Sequence, residues 1–542
     1  MNRSAILTPQ IAPPEGYYQN NFRELLDFVT QRYVHVLPST VAAHYRAALA
    51  LADPAQRLLA RLLCRKGPAF RLDGLAYAEI ADNTAAADML VEAGLAERCP
   101  RVASDVLLKL VRKAELQQWF DLGPRGSHVS KADLLESIQT SYSERAIGEV
   151  ISAHVLWVTL RNMTFWDLAR FLYFDDPHQD WSAFVIRDLG LVEYEDVALG
   201  EVTLSCAREL EEMIEALRMN GYSHRVKERP QLCAPLLDFY QHVPAERSAQ
   251  RRRERALLRV GQGLERDGQM ALAMTTYAQT PLHPSRERRV RIADKQGNNE
   301  LRDRLLEAIG QQAVCAEETL FATRFGKRKA GYQPPEEVVY APEVRKDVEA
   351  QVLALLLARA PRGTWGCYVE NALVRSLTGL VYWPVIFAEV PGAFTHPFQN
   401  APHDLWEDDF VDGPRKGLVA GIEALDDADF AQHLQAVCAA KQGRANALVS
   451  WGLLEELGLE LLLQAMGLAD IRKLTGYLIR NLAWRRRGMP DLLLCYGPGA
   501  YELVEVKGPN DQLQMQQRVW FEVFAELGIP AKVVKLKLAP AG

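Results

Sequence analysis

Apolar positions recur every three or four residues through most of the first 330 residues, and a two-residue alternation becomes clear only near the C-terminus. Phe22, Leu25, Leu26 and Val29 share one helical face, and Val41–Leu51 and Ala55–Arg65 supply two more candidate helices. Phe70–Leu95 predicts a short strand followed by helices, which a small winged-helix-like unit would contain. Val106–Phe120 and Lys131–Ser141 read as helices around a polar Gly-Pro loop, with Ser130 as the cap of the second. Residues 145–240 continue as helices, where Trp157, Phe165, Trp166, Leu168, Phe171, Leu172 and Phe174 form an aromatic stripe suited to core packing. Ala256–Asp267 and Met270–Gln279 look like a degenerate tetratricopeptide pair without the full consensus. Phe321–Tyr340 reads as an exposed connection, and Glu337–Arg359 as an apolar-striped helix.

The alternation falls on Leu492–Tyr496 and Tyr501–Lys507, separated by Gly497-Pro498-Gly499, which predicts two strands and a tight connection. Side chains alternate along a strand, so Glu505 and Lys507 share one face and Val506 takes the other. A hairpin folded about Pro498 sets Asp491 nearly opposite Glu505. Two carboxylates and an ammonium then converge on one spot. Such an oxygen set suits Mg2+ or Mn2+, which lower the pKa of a bound water and stabilise charge on a phosphoryl oxygen. Lys507 is placed to hold the attacking water or a phosphate oxygen. A lone E-x-K on a strand is usually a surface ion pair. The Pro490-Asp491 start, the apolar strand cores and Gly508-Pro509 directly after Lys507 favour an active site instead.

Gly488-Met489-Pro490-Asp491, the run Leu503 to Asp511, Leu513, and Gln517 with Trp520 resemble the PD-(D/E)xK nuclease superfamily, and within it the VRR-NUC module. The chain looks most like the Fanconi-associated nuclease family, as a bacterial-type member without the ubiquitin-binding zinc finger of animal members. This resemblance implies a mainly α multidomain N-terminal region followed by a C-terminal α/β nuclease domain. The expected divisions are a helical, winged-helix-like domain over 1–100, a SAP-like DNA-binding element over 101–145, TPR-like helices over 146–335, and the VRR-NUC domain over 340–542. It also implies a glutamate from a helix preceding the hairpin. Glu370, with Val369, Leu373, Leu377 and Leu380 forming the apolar face beside it, is the candidate. The expected metal set is Glu370, Asp491, Glu505 and Val506. Gln517 matches the family's active-site glutamine, and Asn510 and Asp511 read as caps of its helix. The implied activity is a structure-selective 5′-flap endonuclease and 5′→3′ exonuclease acting in repair of crosslinked or branched DNA. A Holliday-junction resolvase and a helical DNA-binding scaffold with an inactive nuclease module are the alternatives.

Charge changes this picture in one respect. With 63 Lys and Arg against 69 Asp and Glu, the net charge is −6, so a DNA surface has to be local. Arg485, Arg486 and Arg487 precede the motif and can hold a phosphate. Arg125 and Lys131 lie in the polar loop 123–131, which is either a phosphate contact or an ordinary hairpin loop; the resemblance favours contact. Arg251, Arg252 and Arg253 lie near the start of a basic section that runs from Arg247 to Lys329. A charge run is commonly a solvated face, but ahead of a nuclease it suits a DNA track. The acids Asp404, Glu407, Asp408 and Asp409 read as architectural. The eight cysteines include no C-x-x-C pair, so neither a zinc ribbon nor a disulfide framework is expected, and a reducing cytosol is. No signal-peptide pattern or long apolar run is present, so a cytoplasmic protein, nucleoid-associated if bacterial, is the expectation. The oligomeric state stays open, and the long N-terminal helical region favours a monomer gripping one branched duplex.

Overall fold

The computed structural model describes residues 16–65, 67–121, 129–174, 184, 192–202, 204–227, 229–233, 236–237, 241–245, 247–326 and 332–539. They form two compact units: one from 7–192 with 202–210, the other from 193–201 with 211–542.

In the first unit, helices Tyr17–Arg32, Ser39–Leu49 and Asp53–Leu63 bury Phe22, Leu25, Leu26 and Val29 completely. Strands β1 (Ala69–Arg71), β2 (Ala96–Arg98) and β3 (Trp157–Leu160) make an antiparallel sheet in the order β1-β3-β2. The chain leaves this sheet after β2 and passes through helices Ser104–Leu110, Lys113–Trp119, Lys131–Ser141 and Glu144–Ser152. It then returns as the central strand. Trp157 therefore begins a strand and not a helix, against the expectation. Its run Trp157-Val158-Thr159-Leu160 is short and apolar, and periodicity alone does not separate such a run from buried helix. Trp166, Leu168, Phe171, Leu172 and Phe174 are buried as core. Ser130 caps its helix through a reciprocal pair of 3.2 Å bonds with Asp133. Arg125 and the basic run 327–329 lie outside the described residues.

In the second unit, helices Arg247–Arg266 and Met270–Tyr277 pack closely because Gly261 carries no side chain. A Cβ there would stand 2.6 Å from the Tyr277 ring. Helices Ser285–Lys295, Asn299–Gln311 and Ala316–Arg324 follow, and Phe321 is buried within the last of them instead of lying in an exposed connection. The sheet contains β4 (Glu336–Ala341), β5 (Trp365–Tyr368), β6 (Leu492–Gly497), β7 (Ala500–Lys507) and β8 (Ala531–Leu538) in the order β4-β8-β7-β6-β5. β4 and β7 flank β8 in parallel, while β7, β6 and β5 run antiparallel. The expected helix Glu337–Arg359 is thus two elements, β4 and the helix Val348–Arg359. β4 gains its ladder from β8, almost 200 residues away in sequence, so no local pattern marks it.

One sheet face, with Leu492, Leu494, Val504, Val506, Val534 and Leu536, packs on Val352 and Leu356. The other, with Leu493, Leu503 and Val533, joins a larger core with Trp520, Phe521 and Phe524 of the helix Met515–Leu527. A helical segment between β5 and β6, from Leu373 to Arg480, contributes to that same core. Among the described residues, no helix is long and apolar enough to cross a membrane.

Candidate active site

The β6–β7 hairpin turns at Pro498-Gly499, where Gly499 adopts φ +67° and Gly497 pairs with Ala500. Leu492 pairs with Val504, so Asp491, one step earlier, stands across from Glu505. Two backbone contacts fix that step. The Val369 N–H donates to the Asp491 carbonyl at 2.7 Å, and the Val506 N–H donates to Asp491 Oδ2 at 2.8 Å. The Val506 side chain belongs to the opposite face, as alternation requires. Gly488, at φ +91°, comes so close to the start of Met515–Leu527 that a Cβ would lie 3.0 Å from Gln516.

Glu505 is 1% exposed. Its Oε1 receives Lys507 Nζ at 2.8 Å and Gln517 Nε2–H at 2.5 Å. Its Oε2 is buried without a hydrogen-bond partner. Burial pushes the Glu505 carboxyl up to about 8, and the Asp491 charge adds to this against the opposing pull of Lys507. Burial also lifts Asp491 to about 6; the Val506 N–H opposes the rise, and Glu370 and Glu349 reinforce it. Two buried acids held above their ordinary range, one with an orphaned oxygen, are a hard-oxygen set that Lys507 alone does not neutralise. That donor set fits a divalent cation.

Glu370 is not on a helix. It occupies the turn after β5, and the helix begins only at Leu373. Its exposed carboxylate accepts from the Tyr368 hydroxyl and, at 3.0 Å, from Asn371 Nδ2, yet its charge still reaches both Asp491 and Glu505. Among the described residues, no three carboxylate, imidazole or thiol groups stand together as a preformed metal cluster. Sequence reasoning missed Glu349, in the first turn of Val348–Arg359, whose charge acts on Asp491. In the sequence Glu349 falls in the middle of the expected helix Glu337–Arg359, and only the break into β4 and Val348–Arg359 puts it in a first turn. Asn510 and Asp511 do not cap the last helix. Gln514 does, and Asp511 accepts from the Gly508 N–H at 3.1 Å.

The three arginines before the motif have different fates. Arg485 is buried in a two-pronged ion pair with Glu317, at 2.6 and 2.5 Å, which removes it from any DNA surface. The Arg486 guanidinium lies 5.0 Å from the Trp406 ring centre, and the Arg487 carbonyl accepts from Trp520 Nε1. Arg486, Arg487, Arg255 and Arg375 line a cavity of about 910 Å³ that reaches Gln516, beside Gln517. Burial and mutual repulsion push Arg375 and Arg486 below the usual guanidinium range. Glu407, Asp408 and Asp409 line the same cavity, and Arg251 is paired with Glu407. Arg253 is buried and bonded to Gln279 at 3.2 Å, and Arg252 is half-buried on the same helix. Within the run Arg251–Arg253, Arg253 is thus internal structure, while Arg251 and Arg252 are partly buried and Arg251 borders the cavity. Asp404 holds the buried Arg415 at 2.5 and 3.1 Å, an architectural contact. Lys131 opens its helix in the first unit, with Nζ 3.5 Å from the Lys109 carbonyl.

Three family models match this chain: "FAN1, HTH domain" over residues 16–97, "Fanconi anemia-associated nuclease SAP domain" over 104–146, and "VRR-NUC domain" over 428–537. The Fanconi-associated nuclease 1 homolog of Pseudomonas aeruginosa is 32% identical, with 96% of each chain covered. The Arabidopsis thaliana homolog is 24% identical over 98% of this chain and 68% of its own. A crystal structure of paFAN1 bound to DNA with a two-nucleotide 5′ flap and a gap superposes with a TM-score of 0.87. It is 29% identical and covers 98% of this chain and 100% of that one. With the hairpin acids, the buried lysine pair and this full-length similarity together, the chain belongs to the Fanconi-associated nuclease family.

Proposed function

We propose that this chain is a metal-dependent, structure-selective DNA nuclease that cuts phosphodiester bonds near 5′ flaps. The observation that carries the reading is the buried Glu505, opposite Asp491, bonded to Lys507 and Gln517 and left with one orphaned oxygen. Asp491, Glu505 and the main chain at Val506, with Glu370 from the neighbouring turn, would hold a divalent cation. When bound, that ion supplies charge stabilisation at the phosphoryl oxygen and acidifies a water. Lys507 holds the attacking water and Gln517 fixes the Glu505 carboxylate. Arg255, Arg375, Arg486 and Arg487 offer guanidinium forks to phosphates beside the cleaved bond. The relatives named as Fanconi-associated nucleases and the solved paFAN1 structures on 5′-flap DNA support this assignment.

The finer reading is 5′-flap endonuclease and 5′→3′ exonuclease activity with Mg2+ or Mn2+, by a cytoplasmic monomer gripping one branched duplex. It places the activity in repair of crosslinked or branched DNA. Cleavage mapping on labelled 5′-flap, 3′-flap and four-way substrates with each ion tests it. Cuts confined to the 5′-flap arm are the expected result. Preferred resolution of the four-way junction would make the chain a resolvase, and no metal-dependent cleavage would leave a DNA-binding scaffold.

A further inference from the structure

The first turn of the helix Met515–Leu527 points successive side chains in different directions, about 100° apart. Gln517 faces Glu505, and Gln516 faces the cavity of Arg486 and Arg487 on one flank. Arg518 leaves on the other flank, near Met515, three residues earlier on the same helix face. Met515 borders a second cavity of about 630 Å³, lined also by Arg291, Arg302, Leu306, Phe321, Arg324 and Phe325 with the acids Asp294 and Asp303.

The charges in that second cavity are unevenly satisfied. Arg302 is bonded to Asp294 at 3.1 Å and to Asp303 at 2.7 Å, and Arg291 to Glu287 at 2.8 Å. Arg324 has no such acid among the described residues, and its Nη1 is buried without a hydrogen-bond partner. The helix Ala316–Arg324, which ends on Arg324, packs against the helix Met515–Leu527, and Arg324 and Met515 line one cavity beside Arg518. The Arg518 guanidinium there is pushed down by burial and by the Arg324 charge. The acid acting on Arg518, Glu336, is bonded to Lys535 at 2.9 Å. Two half-buried guanidiniums that repel each other cost stability unless an anion joins them.

We propose that Arg324 and Arg518 form a phosphate subsite for the DNA backbone, on the flank of Gln517 opposite the Arg486–Arg487 cavity. The inference rests on the nuclease reading above. A strand crossing the site is then held by guanidinium forks on both sides of the cleaved bond, which fixes its register against Glu505.

The test compares wild type with an Arg324→Gln, Arg518→Gln double variant in binding and cleavage of 5′-flap DNA across a salt series. The double variant should bind about tenfold more weakly at low salt, raise KM by a similar factor, and lower the slope of log affinity on log salt by about 1, the loss of one neutralised phosphate. Its melting temperature should equal or exceed that of wild type, because a repulsive pair is gone. An Arg324→Lys, Arg518→Lys variant should recover much of the slope. Inorganic phosphate and a deoxynucleoside monophosphate serve as competitor arms. The competitors should weaken binding in wild type and less so in the glutamine variant, which keeps only the Arg486–Arg487 flank; equal weakening in both overturns the subsite. Wild-type affinity, KM and slope in the glutamine variant overturn the subsite and leave the nuclease reading standing. Failure of the wild-type chain to bind or cut flapped DNA overturns that reading and the subsite with it.

Discussion

Gln517 Nε2–H donates to Glu505 Oε1 at 2.5 Å, while Gln517 Oε1 accepts the N–H of Gln514 at 2.9 Å. The helix start thus fixes the amide, and the amide fixes the carboxylate. Groups that orient a metal-binding carboxylate typically matter about 10–100-fold. Gln517→Ala should lower the single-turnover cleavage rate by a factor in that range while leaving DNA affinity near wild type. An unchanged rate would show that the amide positions nothing.

In the proposed site Asp491 is a metal ligand across the hairpin from Glu505, and Lys507, on the Glu505 carboxylate at 2.8 Å, holds the attacking water. Asp491→Ala and Lys507→Ala should each abolish cleavage of flapped DNA and retain binding in a gel-shift measurement. Wild-type cutting by either variant would refute the site assignment.

Both acids have a pKa raised on folding, to about 6 for Asp491 and about 8 for Glu505. The folded state then holds protons that the unfolded chain releases in the ordinary carboxylate range, so stability falls as pH rises through those values. In metal-free protein, Glu505→Gln should raise the melting temperature by about 3 °C near pH 8 and hardly change it near pH 4.5, following the usual link between stability and melting temperature. Added Mn2+ should stabilise wild type more at about pH 8 than at about pH 6. Calorimetric scans at those conditions check the sign. A melting temperature for Glu505→Gln below wild type near pH 8 would contradict the burial argument.

The arginine run separates by environment. Glu317→Ala leaves the buried Arg485 guanidinium without its carboxylate, which should cost about 3–5 kcal/mol in denaturant unfolding. Arg486→Ala and Arg487→Ala should unfold close to wild type but bind flapped DNA several-fold more weakly. If Glu317→Ala were neutral in stability, the ion pair would have no structural role.

Features settled by neighbours along the chain were legible in the residues. Strand alternation and the Gly497–Gly499 turn set Asp491 against Glu505, because a tight turn and a period of two fix register locally. Ser130 capped its helix as read, and Phe22, Leu25, Leu26 and Val29 face one core, for the same reason. The tertiary structure decided everything that depends on partners far away in the chain. Trp157–Leu160 became a central strand because β1 and β2 lie on either side of it, and Glu336–Ala341 became an edge strand because β8 pairs with it. Glu370 fell in a turn, with Asn371 at φ +53°, and Glu349 came within range of Asp491 from another helix. Arg485 reads like Arg486 in a row of identical letters. Only the fold brings Glu317, 168 residues away in sequence, against one of them and leaves the other beside a cavity. A charge's role depends on which groups exclude water from it and which pair with it, and side-chain spacing along the chain does not contain that information.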